Sequence, residues 1–183
     1  MPDELTLTRM NESEAREVAG WEYVGDYAAY NADAEHFDDT VRSFLNPDYA
    51  YYAVWHDELA LTGFCCYGAD AQVPGGDYSE GAVDIGLGLR PDLVGCGLGS
   101  SFLGAVMQNA ARTRYAGIDG DKMIFRATIA AFNGRSLRLF GRAGFIPEQE
   151  FTIEPRDRSG EQLRFVVVVR RPSPRPDQLL GST

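Results

Sequence analysis

The chain is poor in the residues that staple a fold or hold a metal: only three of its 183 positions are cysteine and two are histidine. Cys65 and Cys66 are adjacent inside an apolar strand and Cys96 stands alone, a pattern that is neither a disulfide framework nor a ligand spacing, so the thiols are expected to be reduced. With His36 and His56 as the sole imidazoles, no metal site is expected. No apolar run approaches the roughly 18 residues of a membrane span. The first residues lack the basic, apolar and small-residue succession of a secretory signal, which points to a soluble, cytoplasmic protein. There is no internal repeat. Nor is there an excess of basic charge: the net charge is −10, a poor match for nucleic acid.

What is present suits one domain. A chain that is 44% hydrophobic and 11% aromatic can bury a sizeable core across residues 1–171. The end, from Pro172, holds three prolines and reads as a disordered tail over 172–183. Charge is unevenly spread. Residues 1–92 hold 4 Arg against 19 acids, and residues 93–183 hold 13 Lys or Arg against 8, a net of −15 and +5. Such a division would steer an anionic and a cationic ligand to opposite walls of a cleft; it is equally what a generally acidic, well-solvated surface gives.

Leu5-Thr6-Leu7-Thr8-Arg9 alternates and predicts a first strand, and Asn11 with Glu14 three residues on predicts a capping box opening a helix to about Ala19. A second helix is expected from Ala34 to Leu45, ended by Asn46-Pro47. Between them Trp21, Tyr23, Tyr27 and Tyr30 interleave with Glu22 and Asp26. They suit either an aromatic box for an amine or an apolar side chain or the core side of a short helix. Residues 51–55 and 59–66 read as a hairpin around His56-Asp57-Glu58. The following loop, with Pro74-Gly75-Gly76-Asp77-Tyr78, is long enough to act as a lid.

Residues 83–103 join an apolar strand, a Pro-containing bend, alternating glycines and an amphipathic helix. Gly95, Gly97 and Gly99 let the backbone turn tightly and bring N–H groups against an anion, and the first turn of the helix, from Leu98 and Ser100, adds its positive end. No Lys or Arg lies between Arg90 and Arg112, so a diphosphate would be held by main chain. A dinucleotide fingerprint fits poorly, because Asp119 and Asp121 fall in a turn rather than at a strand end. A Walker loop is excluded by the lack of Gly-Lys-Ser/Thr. Cys96 would be a nucleophile at a helix N-terminus or a small residue filling the loop. Gly99, Phe102, Leu103, Val106, Met107 and Ala110 recur at helical spacing and form a core face.

Residues 123–145 read as a strand, Asn133 as the N-cap of a short helix, and Gly144-Phe145 as the entry to the next strand. A closing hairpin follows from 145–153 and 163–170, around Asp157-Arg158-Ser159-Gly160. The pair Val94-Gly95-Cys96-Gly97-Leu98-Gly99 and Asn133, Ser136, Leu139, Phe140, Gly144, Phe145 resembles the two motifs of the GCN5-related N-acetyltransferase (GNAT) superfamily, Arg/Gln-x-x-Gly-x-Gly/Ala and Asn-x-x-Ala/Ser-x-x-Leu-Tyr-x-x-x-Gly-Phe. Two positions depart from it: Val94 replaces Arg or Gln, and Phe140 replaces the Tyr that protonates the leaving thiolate.

The resemblance implies an α/β fold: a mixed, mostly antiparallel twisted sheet of six to seven strands, splayed between strands 4 and 5 and flanked by about four helices. It implies acetyl-CoA as co-substrate, seated on Leu87, Gly88, Leu89, residues 94–100, Asn133, Ser136 and Phe140. The acceptor would be a primary amine of a small molecule or a peptide N-terminus, with no nucleic acid or membrane partner, and a homodimer is compatible with it. Asp84 is the candidate base, or else an outward-facing strand residue, with Glu22 and Asp77 as weaker alternatives. Backbone N–H groups near Leu87 to Leu89, on a strand bulged at Gly86 and Gly88, would meet the carbonyl oxygen. Tyr27, Tyr30, Tyr78 or Ser136 would supply the missing proton. Arg135, Arg138 and Arg142 would reach a coenzyme phosphate or line a solvated face. Because a phenyl ring has no proton to give, the alternative is a non-catalytic acyl-CoA sensor; a third is transfer of a longer acyl chain.

Overall fold

A computed structural model describes residues 5–57, 59–113, 115, 122–154 and 162–172. The expected turns at 117–121 and 157–160 lie outside these residues, as does the tail beyond Pro172. Seven strands form one sheet in the order β1-β2-β3-β4-β5-β7-β6: β1 (Leu5–Arg9), β2 (Tyr52–His56), β3 (Ala60–Tyr67), β4 (Val83–Leu89), β5 (Phe125–Ala130), β6 (Ile146–Ile153) and β7 (Leu163–Arg170). All neighbours are antiparallel except β4 and β5, which are parallel and pair only at Val83↔Phe125 and Asp84↔Arg126. Beyond Asp84 the two strands diverge, as the splayed sheet requires.

Among the described residues four α-helices cover the sheet: α1 (Glu12–Ala19), α2 (Phe37–Leu45), α3 (Gly99–Arg112) and α4 (Gly134–Arg142). The alternation of β4 and β5 assigns the faces. Val83, Ile85, Phe125, Ala127 and Ile129 pack with Phe102, Leu103 and Val106 of α3 and Phe140 of α4 in the larger core. On the opposite face Ala15, Val18 and Val41 of α1 and α2 pack on Ala53, Leu61 and Cys66 in a second core. The buried Tyr67 hydroxyl ties α3 to β3: it donates to the Val106 carbonyl at 2.7 Å and accepts from Asn109 Nδ2 at 3.1 Å.

The capping box forms as expected, with Asn11 Oδ1 accepting from the Glu14 N–H at 3.1 Å and Glu14 Oε2 from the Asn11 N–H at 2.8 Å. Trp55 Nε1 donates to the other Glu14 oxygen at 3.2 Å, which satisfies a carboxylate that is only 7% exposed. The expected bulge in β4 is absent, since β3 and β4 keep one register from Gly63↔Leu89 to Tyr67↔Ile85. Its glycines make room instead. A Cβ at Gly86 would lie 2.7 Å from Cys66 Sγ, and one at Gly88 2.5 Å from the Phe64 ring. The strands separate because β4 follows β3 while β5 follows β7, each half keeping its own twist.

Candidate functional site

The cleft opens where β4 leaves β5. The Arg90 N–H bonds to the Thr62 carbonyl at 2.9 Å and the Gly68 N–H to the Asp84 carbonyl at 3.0 Å, so the even-numbered residues of β4 turn their peptide groups toward β3. Leu87 and Leu89 therefore turn theirs toward β5, on a stretch where β4 has no strand partner on that side. This is a free sheet edge inside the molecule, able to pair with an extended ligand that carries amides.

The glycine loop crosses the same end. Gly95 has φ +91° and Gly97 φ +89°, a region open to glycine and strained for other residues. A Cβ at Gly97 would touch nothing within 4 Å, so backbone angle rather than space demands glycine there. Val94 and Cys96 close short turns onto Pro91 and Leu93. Among the described residues no acceptor meets the N–H groups of Gly97, Leu98, Gly99 or Ser100, which leaves a row of donors at the start of α3. The nearest cation is on α4: Arg135 Nη1 lies 3.8 Å from the place a Gly95 Cβ would take. Leu139 packs under Gly99, where a Cβ would approach it to 3.2 Å, and so keeps α3 and α4 together.

The other lip of the cleft is the cap of α4. Asn133 Oδ1 accepts from the Ser136 N–H at 3.0 Å, and Asn133 Nδ2 donates to the Tyr30 hydroxyl at 3.2 Å. Tyr27 and Tyr30 both pack on Phe132, with ring centroids 6.2 and 5.6 Å away, and the Arg135 guanidinium lies 5.9 Å from the Tyr27 ring. On the β4 side the Tyr23 hydroxyl donates to the Leu89 carbonyl at 2.7 Å. Burial raises the Tyr23 phenol to about 12 and lifts Tyr30 as well, so both hydroxyls keep their protons at neutral pH. Trp21 at the start of the aromatic segment is buried in the second core, whereas Gly25–Tyr30 frames the cleft and has no buried residue. The segment is thus anchored in the core at Trp21 and forms a rim from Gly25 to Tyr30.

Three candidates lie elsewhere. Asp84 stands at the paired end of β4 and β5, not in the cleft. Its carboxylate accepts from Arg126 Nε at 2.6 Å, Arg126 Nη2 at 2.8 Å and Gln72 Nε2 at 2.8 Å. The Asp84 and Arg126 side chains are 5% and 4% exposed. With both oxygens engaged in a buried ion pair, Asp84 is neither a free base nor an outward-facing residue. Tyr78 belongs to the same cluster: its ring lies 4.9 Å from the Arg126 guanidinium, and its hydroxyl meets Val73 and Thr128. The loop that carries Tyr78 is accordingly no lid over the cleft. It folds on β5, β7 and β6, with the Asp77 N–H donating to Gln149 Oε1 at 2.9 Å. Phe140 is 2% exposed and packs edge-on against Phe145, 4.9 Å between centroids, so it is core rather than a coenzyme contact.

Sequence reasoning missed the Tyr23 hydroxyl and Arg126. The second had a signal: a lone arginine in the apolar strand FRATIA calls for a buried carboxylate, and VDIGL holds one. Among the described residues no group of three His, Cys, Asp or Glu is arranged to hold a metal, and no helix is long and apolar enough to cross a membrane.

No protein-family profile matches the chain, and no curated protein does. Solved structures do. A chimera of the spermidine N-acetyltransferase SpeG from Vibrio cholerae and hSSAT superposes with a TM-score of 0.66 at 13% identity, covering 91% of this chain and 95% of that one. An N-acetyltransferase from Staphylococcus aureus Mu50 gives 0.64 at 14%, covering 92% and 98%. YncA from Salmonella typhimurium, a candidate acetyltransferase solved with its cofactor acetyl-CoA, gives 0.61 at 17%, covering 92% and 94%. The fold is therefore the one these acetyltransferases share: a seven-stranded mixed sheet with a parallel β4–β5 junction.

Proposed function

We propose that this chain is an acetyl-CoA dependent N-acetyltransferase of the GCN5-related superfamily, acting in the cytoplasm on a primary amine of a small molecule or a peptide N-terminus. One observation carries the reading: the edge of β4 at Leu87 and Leu89, which no neighbouring strand covers, runs into a main-chain anion cradle at residues 95–100. An amide-bearing arm ending in a diphosphate is the ligand chemistry that matches both. The two left-handed glycines and the unpaired N–H groups at the start of α3 fit the diphosphate, with Arg135 as the nearest side-chain cation. YncA, which shares the fold, is bound to acetyl-CoA, and the SpeG chimera is a spermidine acetyltransferase.

Acetyl transfer needs a neutral amine, a polarised carbonyl and a proton for the departing thiolate. Leu87 can offer its N–H toward the carbonyl oxygen. Tyr23 and Tyr30 are the protonated hydroxyls on the cleft rim, where Phe140 provides none. Glu22 is the carboxylate next to that rim. A bound amine would meet the faces of Tyr27, Tyr30 and Phe132, a setting that favours a cation before it loses its proton.

Acetyl-CoA is expected to raise the melting temperature by mass action, and Gly97→Glu to abolish the rise by setting a carboxylate in the cradle. No rise at millimolar acetyl-CoA would refute the proposal. A panel of amines scored for free thiol then separates an enzyme from the second reading, a non-catalytic acyl-CoA sensor. Phe140 favours that reading, since the ring at this position is buried and has no proton to donate. Binding without thiol release on any amine would establish the sensor.

A further inference from the structure

Residues 21–31 do more than line the acceptor side. Asn31 closes the segment on itself, its Oδ1 accepting from the Tyr23 N–H at 2.7 Å and its Nδ2 donating to the Tyr23 carbonyl at 3.1 Å. Tyr23 and Tyr30 pack edge to face with centroids 6.4 Å apart. From this rigid unit two hydroxyls reach in opposite directions, Tyr23 to Leu89 on the β4 lip and Tyr30 to Asn133 on the α4 lip. The segment is a strap fastened to both sides of the cleft.

We infer that the Tyr23 hydroxyl is a displaceable latch, holding the Leu89 carbonyl that an amide-bearing coenzyme arm takes over when it docks along β4. The inference rests on the coenzyme reading above and adds a regulated step to it. Leu89 turns its peptide group into the cleft, and Tyr23 is its partner there. An arm that pairs with the β4 edge as an added strand would present an N–H to the same oxygen, so arm and phenol compete. Tyr30 holds Asn133 on the facing lip, so docking along β4 frees the strap at one lip while the bond at the other remains. Tyr23 is thus a positioning residue, whose release moves the aromatic rim relative to the acceptor path.

The test compares two probes on the full chain: acetyl-CoA, and 3′-phosphoadenosine 5′-diphosphate, which has the phosphates but no arm. Tyr23→Phe keeps the ring and removes the hydroxyl. It is expected to tighten acetyl-CoA roughly threefold to tenfold, the range for one lost competing hydrogen bond, while binding of the armless nucleotide stays unchanged. Asn31→Ala, which loosens the strap without touching Leu89, is expected to shift acetyl-CoA in the same direction. Equal or weaker acetyl-CoA binding by Tyr23→Phe, or equal shifts with both probes, would overturn the latch while leaving the coenzyme reading intact. Failure of the parent protein to bind either probe would instead remove the coenzyme reading and the latch with it.

Discussion

Asp84 shows how one side chain changes meaning once its neighbours are known. In sequence it is an acid at the end of an apolar strand, as a base for an amine could be. In the fold it meets Arg126 through two charge-assisted hydrogen bonds, and its carboxylate further raises the guanidinium's already high pKa. Removing one member of a buried ion pair leaves the other desolvated and alone, so Asp84→Ala is expected to cost about 3–5 kcal/mol. Urea unfolding with an unchanged slope measures this. Whatever thiol release the protein catalyses should persist per folded molecule with the same pH profile; its loss in a variant that remains folded would return Asp84 to the role of base. Phe140 was legible as an inward-facing ring from the helical spacing of Ser136, Leu139, Phe140 and Ala143. That it meets Phe145 instead of the cleft depends on how α4 sits on β7, which spacing does not encode.

At the scale of elements, local signals did most of the work. The box at Asn11 and Glu14 opens α1 because each residue satisfies an N–H the helix would otherwise leave bare, and Asn11→Ala is expected to cost about 0.5–2 kcal/mol, read from thermal unfolding. The glycine loop was legible in part: Gly95 and Gly97 take the positive φ that favours glycine, whereas Gly99 opens α3 and packs on Leu139. It also sets apart one thiol. Cys96 is exposed in the loop, whereas Cys65 and Cys66 are buried, with their pKa values driven up by desolvation. A thiol reagent at neutral pH is therefore expected to modify one cysteine of the folded chain, identified by peptide mapping, and acetyl-CoA to slow that reaction. Labelling of Cys65 or Cys66 at a matching rate would contradict the core. The bulge expected in β4 failed for a reason of packing: Gly86 and Gly88 yield space to Cys66 and Phe64 on the neighbouring strand, a demand made by residues some twenty positions away.

For the whole molecule, the division of charge acquires a geometry. The segment at residues 21–31, with Glu22 and Asp26, comes from the acidic half, and the glycine loop with Arg135 from the basic half, so the two halves meet at the cleft. Stability at high pH is also a property of the whole core. Tyr23 rises from 10.0 to about 12 and Cys65 from 9.0 to about 12, both by burial, and Cys66, Tyr51 and Tyr67 rise for the same reason. Each group holds its proton more tightly when folded. Its contribution is full below the unfolded value and fades as pH climbs through the folded one. The melting temperature is expected to hold up to about pH 9 and to fall steeply from there toward 12, with the part of the tyrosinate absorbance that Tyr23→Phe, Tyr51→Phe and Tyr67→Phe remove appearing together with unfolding. Titration of that part near pH 10 without loss of fold would show these phenols to be solvated.

By itself, the sequence determined what neighbours along the chain can decide: the caps at Asn11 and Asn133, the turn of the glycine loop, the strands and helices to within a few residues, with α2 starting at Phe37 after a 3-10 turn over Ala34–His36 rather than at Ala34, and through two motifs the class of fold. Only the tertiary structure decided which distant groups meet. Tyr23 meets Leu89 across 66 residues, Tyr30 meets Asn133 across 103, and Asp84 meets Arg126 across 42. The physical reason is that backbone angle and periodic burial are set by adjacent residues, whereas a hydrogen bond between distant segments exists only once the sheet has twisted and its helices have docked.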